Sequence, residues 1–144
     1  MTPSGRIVAG MTNNTATATP TPAPAPAALE ALIDRALGAY CDPDVTRRRA
    51  AIAEVWAADG ELIDPPLEGR GHAGLSDAAD AVLAHFPGHT FRRTTPVDAH
   101  HGYATYRWQL LDSEGRPALS GHDVATLTDR GQLQRIVGFF AAAT

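Results

Sequence analysis

Two aspartates, Asp64 and Asp123, are the residues of this sequence best suited to move protons. Asp123 lies in a strand-like run, residues 120–127, in which residues two apart face the same way. It therefore shares a predicted face with Ala125 and Leu127, the apolar side that packs inward. A carboxylate on an inward face is either satisfied structurally or lines a cavity in which its pKa is tuned for proton transfer.

Each aspartate also has a structural alternative. Asp64 precedes Pro65-Pro66 at a predicted strand end, where an aspartate often caps its own turn. Asp123 could be held by backbone donors or by an arginine. Abstraction of a proton next to a carbonyl needs a base near the carbon and a donor near the oxygen, in a site drier than water. The two aspartates could divide these roles, with the more buried one protonated and the more solvated one ionised.

The remaining chemistry-bearing residues exclude several classes of function. All 12 basic residues are arginine, so Schiff-base and lysine-dependent phosphate chemistry is excluded. With a net charge of -4 and no basic stripe, we expect no nucleic-acid partner; no apolar run predicts a membrane span. Cys41 has no partner thiol, which predicts neither disulfide nor zinc and fits a cytoplasmic setting. Pro87-Gly88 separates His85 from His89, so we expect no metal and no cofactor.

The elements that must position the aspartates follow from periodicity. Residues 1–27, rich in Thr, Ala and Pro, are predicted to be a disordered tail, and residues 28–144 a single domain. Apolar residues at helical spacing predict a helix over about 29–40, a second over 45–58 and a third over 71–86, with a short strand at 61–64. Four further strands are predicted at about 89–99, 102–111, 118–128 and 132–141. Short turns between them predict an antiparallel meander and hence an α+β fold.

Several stretches, in this order and at these spacings, resemble one known superfamily. They are Trp56-Ala-Ala-Asp-Gly-Glu-Leu-Ile-Asp-Pro65, Glu68-Gly-Arg70, Tyr103-Ala-Thr-Tyr-Arg-Trp108, Asp123 in its strand, and Arg135-Ile-Val-Gly-Phe-Phe140. Together they resemble the nuclear transport factor 2-like (NTF2-like) superfamily, particularly its SnoaL-like polyketide cyclase and ketosteroid isomerase branches. The resemblance covers about residues 29–141.

The resemblance implies a cone in which a strongly curved, mainly antiparallel sheet packs on three N-terminal helices and encloses one pocket. It also implies a homodimer that forms through the outer sheet face. Asp64 matches the position of the isomerase's catalytic base, and Asp123 matches its protonated, hydrogen-bond-donating aspartate. The isomerase's first-helix tyrosine falls near Ala36 and is unmatched, and Tyr40 lies one helical turn later.

These observations predict a cofactor-free acid-base enzyme, a cyclase, isomerase or dehydratase that acts next to a carbonyl of a small apolar or polyketide-like compound. Asp123 is its predicted principal acid or base, with Asp64 as partner. The alternative is a non-catalytic ligand-binding or dimerisation module of the same fold, which the unmatched tyrosine favours. The predicted ligand contacts are Tyr106, Trp108, Trp56, Phe86, His89 and Tyr40.

Overall fold

The structure, a computed structural model, describes residues 24–141. Within this range three helices precede the main run of strands: α1 (Pro26–Ala39), α2 (Val45–Val55) and α3 (Gly71–His85). Proline at the start of α1 suits a position where no backbone N–H is needed. The Asp44 side chain caps α2 by accepting a hydrogen bond from the Arg47 backbone N–H at 3.0 Å. The predicted tail, residues 1–27, falls almost wholly outside the described residues.

Seven strands form one mixed, mainly antiparallel sheet in the described part of the chain. They are β1 (Trp56–Asp64), β2 (Leu67–Arg70), β3 (Thr90–Arg93), β4 (Asp98–His100), β5 (Tyr103–Leu111), β6 (Pro117–Leu127) and β7 (Leu133–Phe140). Their order is β2-β1-β7-β6-β5-β3, and β4 also pairs with β5. Only the β1–β7 pair among these strands is parallel. The α+β class with three helices is thus confirmed.

The boundary between α2 and β1 differs from the prediction. The helix ends at Val55, three residues earlier than predicted, and β1 begins at Trp56 rather than at Glu61. Trp56 adopts an extended conformation and pairs with Leu133 of β7. This pairing with a distant strand overrides the local helical pattern, because the spacing of apolar residues in one segment carries no information about which strand will lie beside it.

Two further strand features differ from the prediction. The strand ends before Pro65-Pro66, as predicted, but the chain then turns back into a strand that was not predicted, β2, which pairs with β1 from Asp64↔Leu67 onward. The predicted strand 89–99 is two strands, β3 and β4, separated around Pro96. Proline has no backbone N–H to donate, which suits a break in the ladder.

The inner face of the sheet packs against all three helices and carries the core. On β5, Ala104, Tyr106, Trp108 and Leu110 are buried while the residues between them point outward. The expected strong curl of a cone enclosing one pocket is not seen in this sheet. Apolar helix side chains fill much of the space beneath it, and two small adjoining cavities remain near the predicted site.

The outer face of the sheet carries exposed apolar side chains in its centre. Tyr103 is 54% exposed, Phe139 is 49% exposed, and Val124 lies between their strands. Large exposed apolar groups that share a face are typical of an interaction surface. We propose, as the resemblance implied, that two copies of the chain pair through this face.

None of the helices in the described range has the length and apolar character needed to cross a membrane.

Sedimentation tests the dimer directly. The protein is expected to sediment at about twice its 15.2 kDa chain mass, because each copy would bury the other's apolar residues. Val124→Asp, in the centre of the outer face, should give a monomer. Val45→Asp is the matched control, since Val45 is equally apolar and 45% exposed but begins α2, away from the outer face. A wild-type monomer would contradict this proposal.

Candidate active site

Asp123 lies on β6 and is held by two side chains of the neighbouring strand. Its Oδ1 accepts a hydrogen bond from Trp108 Nε1–H at 2.9 Å, and its Oδ2 accepts one from the Tyr106 hydroxyl at 2.8 Å. Alternation places all three residues on the inner face, and Tyr106 is directly opposite Asp123. The inward orientation predicted for Asp123 is therefore what the structure shows, and the carboxylate is only 5% exposed.

The Trp108 indole reaches Asp123 because glycine stands opposite it. Trp108 pairs with Gly121 on β6, and a Cβ at Gly121 would lie 2.6 Å from the indole ring. The ring is further held by edge-to-face contacts with Phe91 and Phe140, at centroid distances of 5.3 and 5.8 Å. The donor to Asp123 is thus fixed by packing on three sides.

Asp64 meets Asp123 across a second glycine. Gly138 of β7 pairs with Asp123 on one side, and on the other its neighbour Val137 pairs with Ile63 of β1. A Cβ at Gly138 would lie 2.6 Å from Asp64 Cγ and 3.0 Å from Asp123 Oδ1. Since glycine has no side chain, both carboxyl groups occupy the space above it. Asp64 Oδ1 is buried and has no hydrogen-bond partner in this structure.

The two carboxyl groups differ in what surrounds them. Burial, followed by the nearby charge of Asp123, raises the pKa of Asp64 to about 6 from its ordinary value of 3.8. Burial also raises the pKa of Asp123, but the hydrogen bonds from Trp108 and Tyr106 stabilise its charged form and oppose that shift. Among the described residues Asp64 has no such donor at Oδ1. Hydrogen bonds therefore oppose the rise in pKa at Asp123 but not at Oδ1 of Asp64.

A small chamber of about 20 Å³ joins both aspartates to Tyr40. The Tyr40 hydroxyl is buried and has no partner in the described part of the chain, and its ring packs edge-to-face on Phe91. Burial, then the charges of Asp123 and Asp64, raise the pKa of Tyr40, so its hydroxyl stays protonated. The chamber has room for about one water-sized group, such as a single oxygen atom of a ligand.

A larger apolar cavity of about 370 Å³ adjoins the chamber. Asp64 and Trp108 line both spaces, which share Leu67, Val82 and Phe91 as well. The further lining residues of the larger cavity are Pro66, Ala81, His85, Phe86, Leu110, Leu119 and Phe140. Among residues 24–141 no group of three or more His, Cys, Asp or Glu is arranged to hold a metal ion. The larger cavity is thus apolar except for Asp64 and His85, and the second carboxyl group, Asp123, lines the chamber beside it.

A different groove is larger but lies away from this chemistry. It measures about 820 Å³ and lies between the start of α1 and the turns after β4 and β6. None of the residues predicted for the site lines it. We select the candidate site by the meeting of two carboxyl groups beside an apolar cavity, and not by volume alone.

The predicted ligand contacts divide into two groups. Trp108, Phe86 and Tyr40 line the site, whereas Trp56, Tyr106 and His89 do not. Trp56 is 1% exposed within the core, where its ring packs on Gly60. Tyr106 holds Asp123 instead of forming a wall. His89 packs edge-to-face on Phe86 and donates from Nδ1 to the Pro87 carbonyl, because the turn at Pro87-Gly88 leads it away from the cavity.

Three important positions escaped the sequence reasoning. Gly138 belongs to one of the stretches that carry the resemblance, but its position opposite Asp123, on the inward face of β7, was not predicted. Phe91 and Phe140 line the cavity through the same alternation that singled out Trp108. Alternation could have found all three once strand pairs were known, but the sequence does not give the register between β1, β7 and β6.

Truncating Asp123 tests its anchoring role. Asp123→Ala leaves the Trp108 and Tyr106 donors buried without an acceptor, so we expect the free energy of unfolding to fall by about 2–5 kcal/mol. Asp123→Asn should cost less, since its oxygen still accepts from Trp108 and the Tyr106 hydroxyl can rotate to accept from the amide. Urea denaturation at neutral pH measures both, and equal losses would contradict this hydrogen-bond arrangement.

Comparison with known proteins adds a set of similar structures. No protein-family model and no curated protein matches this chain. A candidate isomerase of the SnoaL-like family from Agrobacterium tumefaciens matches with a TM-score of 0.74 and 27% identity, over 78% of this chain and 97% of that one. A candidate polyketide cyclase from Sinorhizobium meliloti (TM-score 0.59, 14% identity, 76% and 94% covered) and an NTF2-like protein from Exiguobacterium (0.62, 13%, 78% and 99%) share the fold.

Fold and site together define an α+β protein with paired carboxyl groups at the end of an apolar cavity. The chain has the NTF2-like fold in its SnoaL-like form, as the sequence resemblance indicated.

Proposed function

We propose that this chain is a cofactor-free acid-base enzyme that removes a proton from the carbon next to a carbonyl group of a small apolar compound. The observation that carries this proposal is the buried, unpartnered Oδ1 of Asp64 where the chamber meets the apolar cavity. A carboxylate with a pKa of about 6 is ionised at neutral pH and yet basic enough to accept a proton. Isomerisation, cyclisation and dehydration each use such a step.

Tyr40 supplies the complementary group for the substrate oxygen. Its buried hydroxyl faces the same chamber as Asp64 and has a raised pKa, so it donates a hydrogen bond to an oxygen on which negative charge develops. Asp123 is already engaged by Trp108 and Tyr106 and acts as a fixed neighbour that raises the pKa of Asp64. This assignment reverses the emphasis of the sequence hypothesis, which made Asp123 the principal acid or base.

The relatives support the reaction class without naming a substrate. The SnoaL-like structure at 27% identity is described as a candidate isomerase, and two further structures with this fold as candidate polyketide cyclases. Isomerisation and cyclisation of a carbonyl compound can both begin with removal of a proton next to the carbonyl, which forms an enolate. The paired carboxyl groups of this chain provide the base for that shared first step.

Deuterium exchange tests the proposal without knowledge of the natural substrate. 2-Tetralone, a small bicyclic ketone, is incubated in D₂O with the protein, and loss of its α-proton signals is followed by NMR. We expect exchange faster than in buffer or with heat-denatured protein. Stoichiometric binding of the ketone without exchange would instead favour a ligand-binding module, a function for which the apolar cavity walls suffice.

The pH dependence of this exchange is a second expectation. Asp64 must be ionised to accept a proton, and its pKa is raised to about 6. The rate should therefore rise with pH through about 6 and level off above it, instead of levelling off near 4 as for an ordinary carboxylate. Initial rates at constant ionic strength measure the profile. A midpoint near 4 would show that Asp64 is not desolvated as described.

A further inference from the structure

His85 is the second titratable residue that lines the larger cavity. It is the last residue of α3 and is exposed, which places it where the cavity meets solvent, whereas Asp64 is only partly exposed and also lines the chamber. The other lining residues between them are apolar or aromatic. A ligand that fills the cavity would thus meet polar side chains only at its two ends.

A backbone contact fixes the hydrogen-bonding character of His85. Its Nδ1 lies 2.9 Å from the carbonyl oxygen of Ala81, one turn earlier in α3. A carbonyl oxygen only accepts, so Nδ1 carries the proton and donates it. In the neutral imidazole Nε2 is then an acceptor with a free lone pair, available to a hydroxyl group of a ligand.

The charge of the lining residues restricts the ligand further. Asp64 is an acid, and no arginine is among the lining residues of either cavity. A carboxylate or phosphate on the ligand that entered the site would come close to Asp64 without an arginine to pair with, at considerable cost. The lining favours an uncharged compound.

We propose that the substrate is an elongated, uncharged apolar compound with an oxygen function at each end, whose distal hydroxyl donates to His85 Nε2. This inference rests on the proposed function in one respect, that the carbonyl end occupies the chamber beside Asp64. His85 selects the substrate by its distal group and takes no part in proton transfer at the carbonyl end.

Matched pairs of phenols test the proposal by binding alone. The pairs are 2-naphthol with 2,6-dihydroxynaphthalene, and 4-hydroxybiphenyl with 4,4′-dihydroxybiphenyl, so that the oxygen-to-oxygen distance varies. Calorimetry on the full chain should show that a diol of the correct length binds roughly three- to tenfold more tightly than its mono-ol, as expected of one net hydrogen bond. His85→Phe should remove that gain, and His85→Gln, whose amide oxygen accepts, should restore part of it.

His89→Phe is the matched control, because His89 also donates Nδ1–H to a backbone carbonyl but does not line the cavity. The diol gain should be unchanged in it. A gain below about twofold in the wild type, or a gain retained in His85→Phe, would overturn the inference, as would failure of all four compounds to bind. Exchange of 2-tetralone, measured on the same preparations, decides the proposed function separately.

Discussion

Asp64→Asn should lower the rate of α-proton exchange by about 10²–10⁴-fold while the protein remains folded. Asparagine has nearly the shape of aspartate but cannot accept a proton in this pH range. Because Asp64 Oδ1 has no hydrogen-bond partner in this structure, the substitution breaks no contact of that atom. The loss should appear in the exchange rate at saturating ketone, with the dissociation constant of the ketone changing little.

Asp64→Asn should not lower the stability of the protein at pH 7, although it lowers the exchange rate. The pKa of Asp64 is raised from 3.8 to about 6, so the folded protein holds this proton more tightly than the unfolded chain does. The wild type therefore loses stability as pH rises from about 4 to about 6, when Asp64 becomes charged. Asp64→Asn removes this loss and should equal or exceed the wild type in melting temperature at pH 7.

Asp123→Asn provides the contrast for the same assay. It retains the side-chain shape and an acceptor for Trp108, but it removes the charge that raises the pKa of Asp64. We expect the midpoint of the pH-rate profile to move to lower pH and a smaller loss of rate than in Asp64→Asn. If Asp123→Asn abolished exchange and Asp64→Asn did not, Asp123 would be the base, as the sequence hypothesis held.

Local pattern was sufficient for the parts of the fold that depend on alternation. The buried positions of β5 and the inward Asp123 follow from a period of two, because each side of a strand meets a uniform environment. Tyr106 and Trp108, two residues apart and both predicted as ligand contacts, lie on the same buried face of β5. Their role as donors to Asp123 was not predicted, since it depends on pairing Tyr106 with Asp123 across two strands.

The parts that could not be predicted depend on contacts between distant segments. Tyr40, at the C-terminal end of α1, was predicted only as a ligand contact, and its place in the chamber beside both aspartates was not predicted. Its position is set by packing against Phe91 of β3, fifty-one residues later in the chain. The prediction that His89 contacts the ligand depended on a similar unknown, and His89 does not line the cavity. The spacing of apolar residues does not tell in which direction the chain leaves the turn at Pro87-Gly88.

Gly138 is the residue whose substitution best tests how the two carboxyl groups meet. Its φ lies outside the left-handed range, so alanine can adopt the backbone conformation and any effect is one of space. The added Cβ would lie 2.6 Å from Asp64 Cγ and 2.7 Å from Asp64 Oδ1. The paired backbone of β7 fixes the position of this Cβ. Gly138→Ala must therefore displace the Asp64 carboxyl group or spread β1 from β7.

We expect Gly138→Ala to lower the exchange rate by about 100-fold, because a base displaced by about 1 Å no longer reaches the reacting carbon. Overpacking should also cost about 1–3 kcal/mol in the free energy of unfolding. Gly38→Ala is the control: nothing lies within 4 Å of its added Cβ, and in helix α1 it should stabilise by about 0.5–1 kcal/mol with full activity. Normal exchange by Gly138→Ala would mean that the contact between the carboxyl groups is dispensable, and that Asp64 works alone.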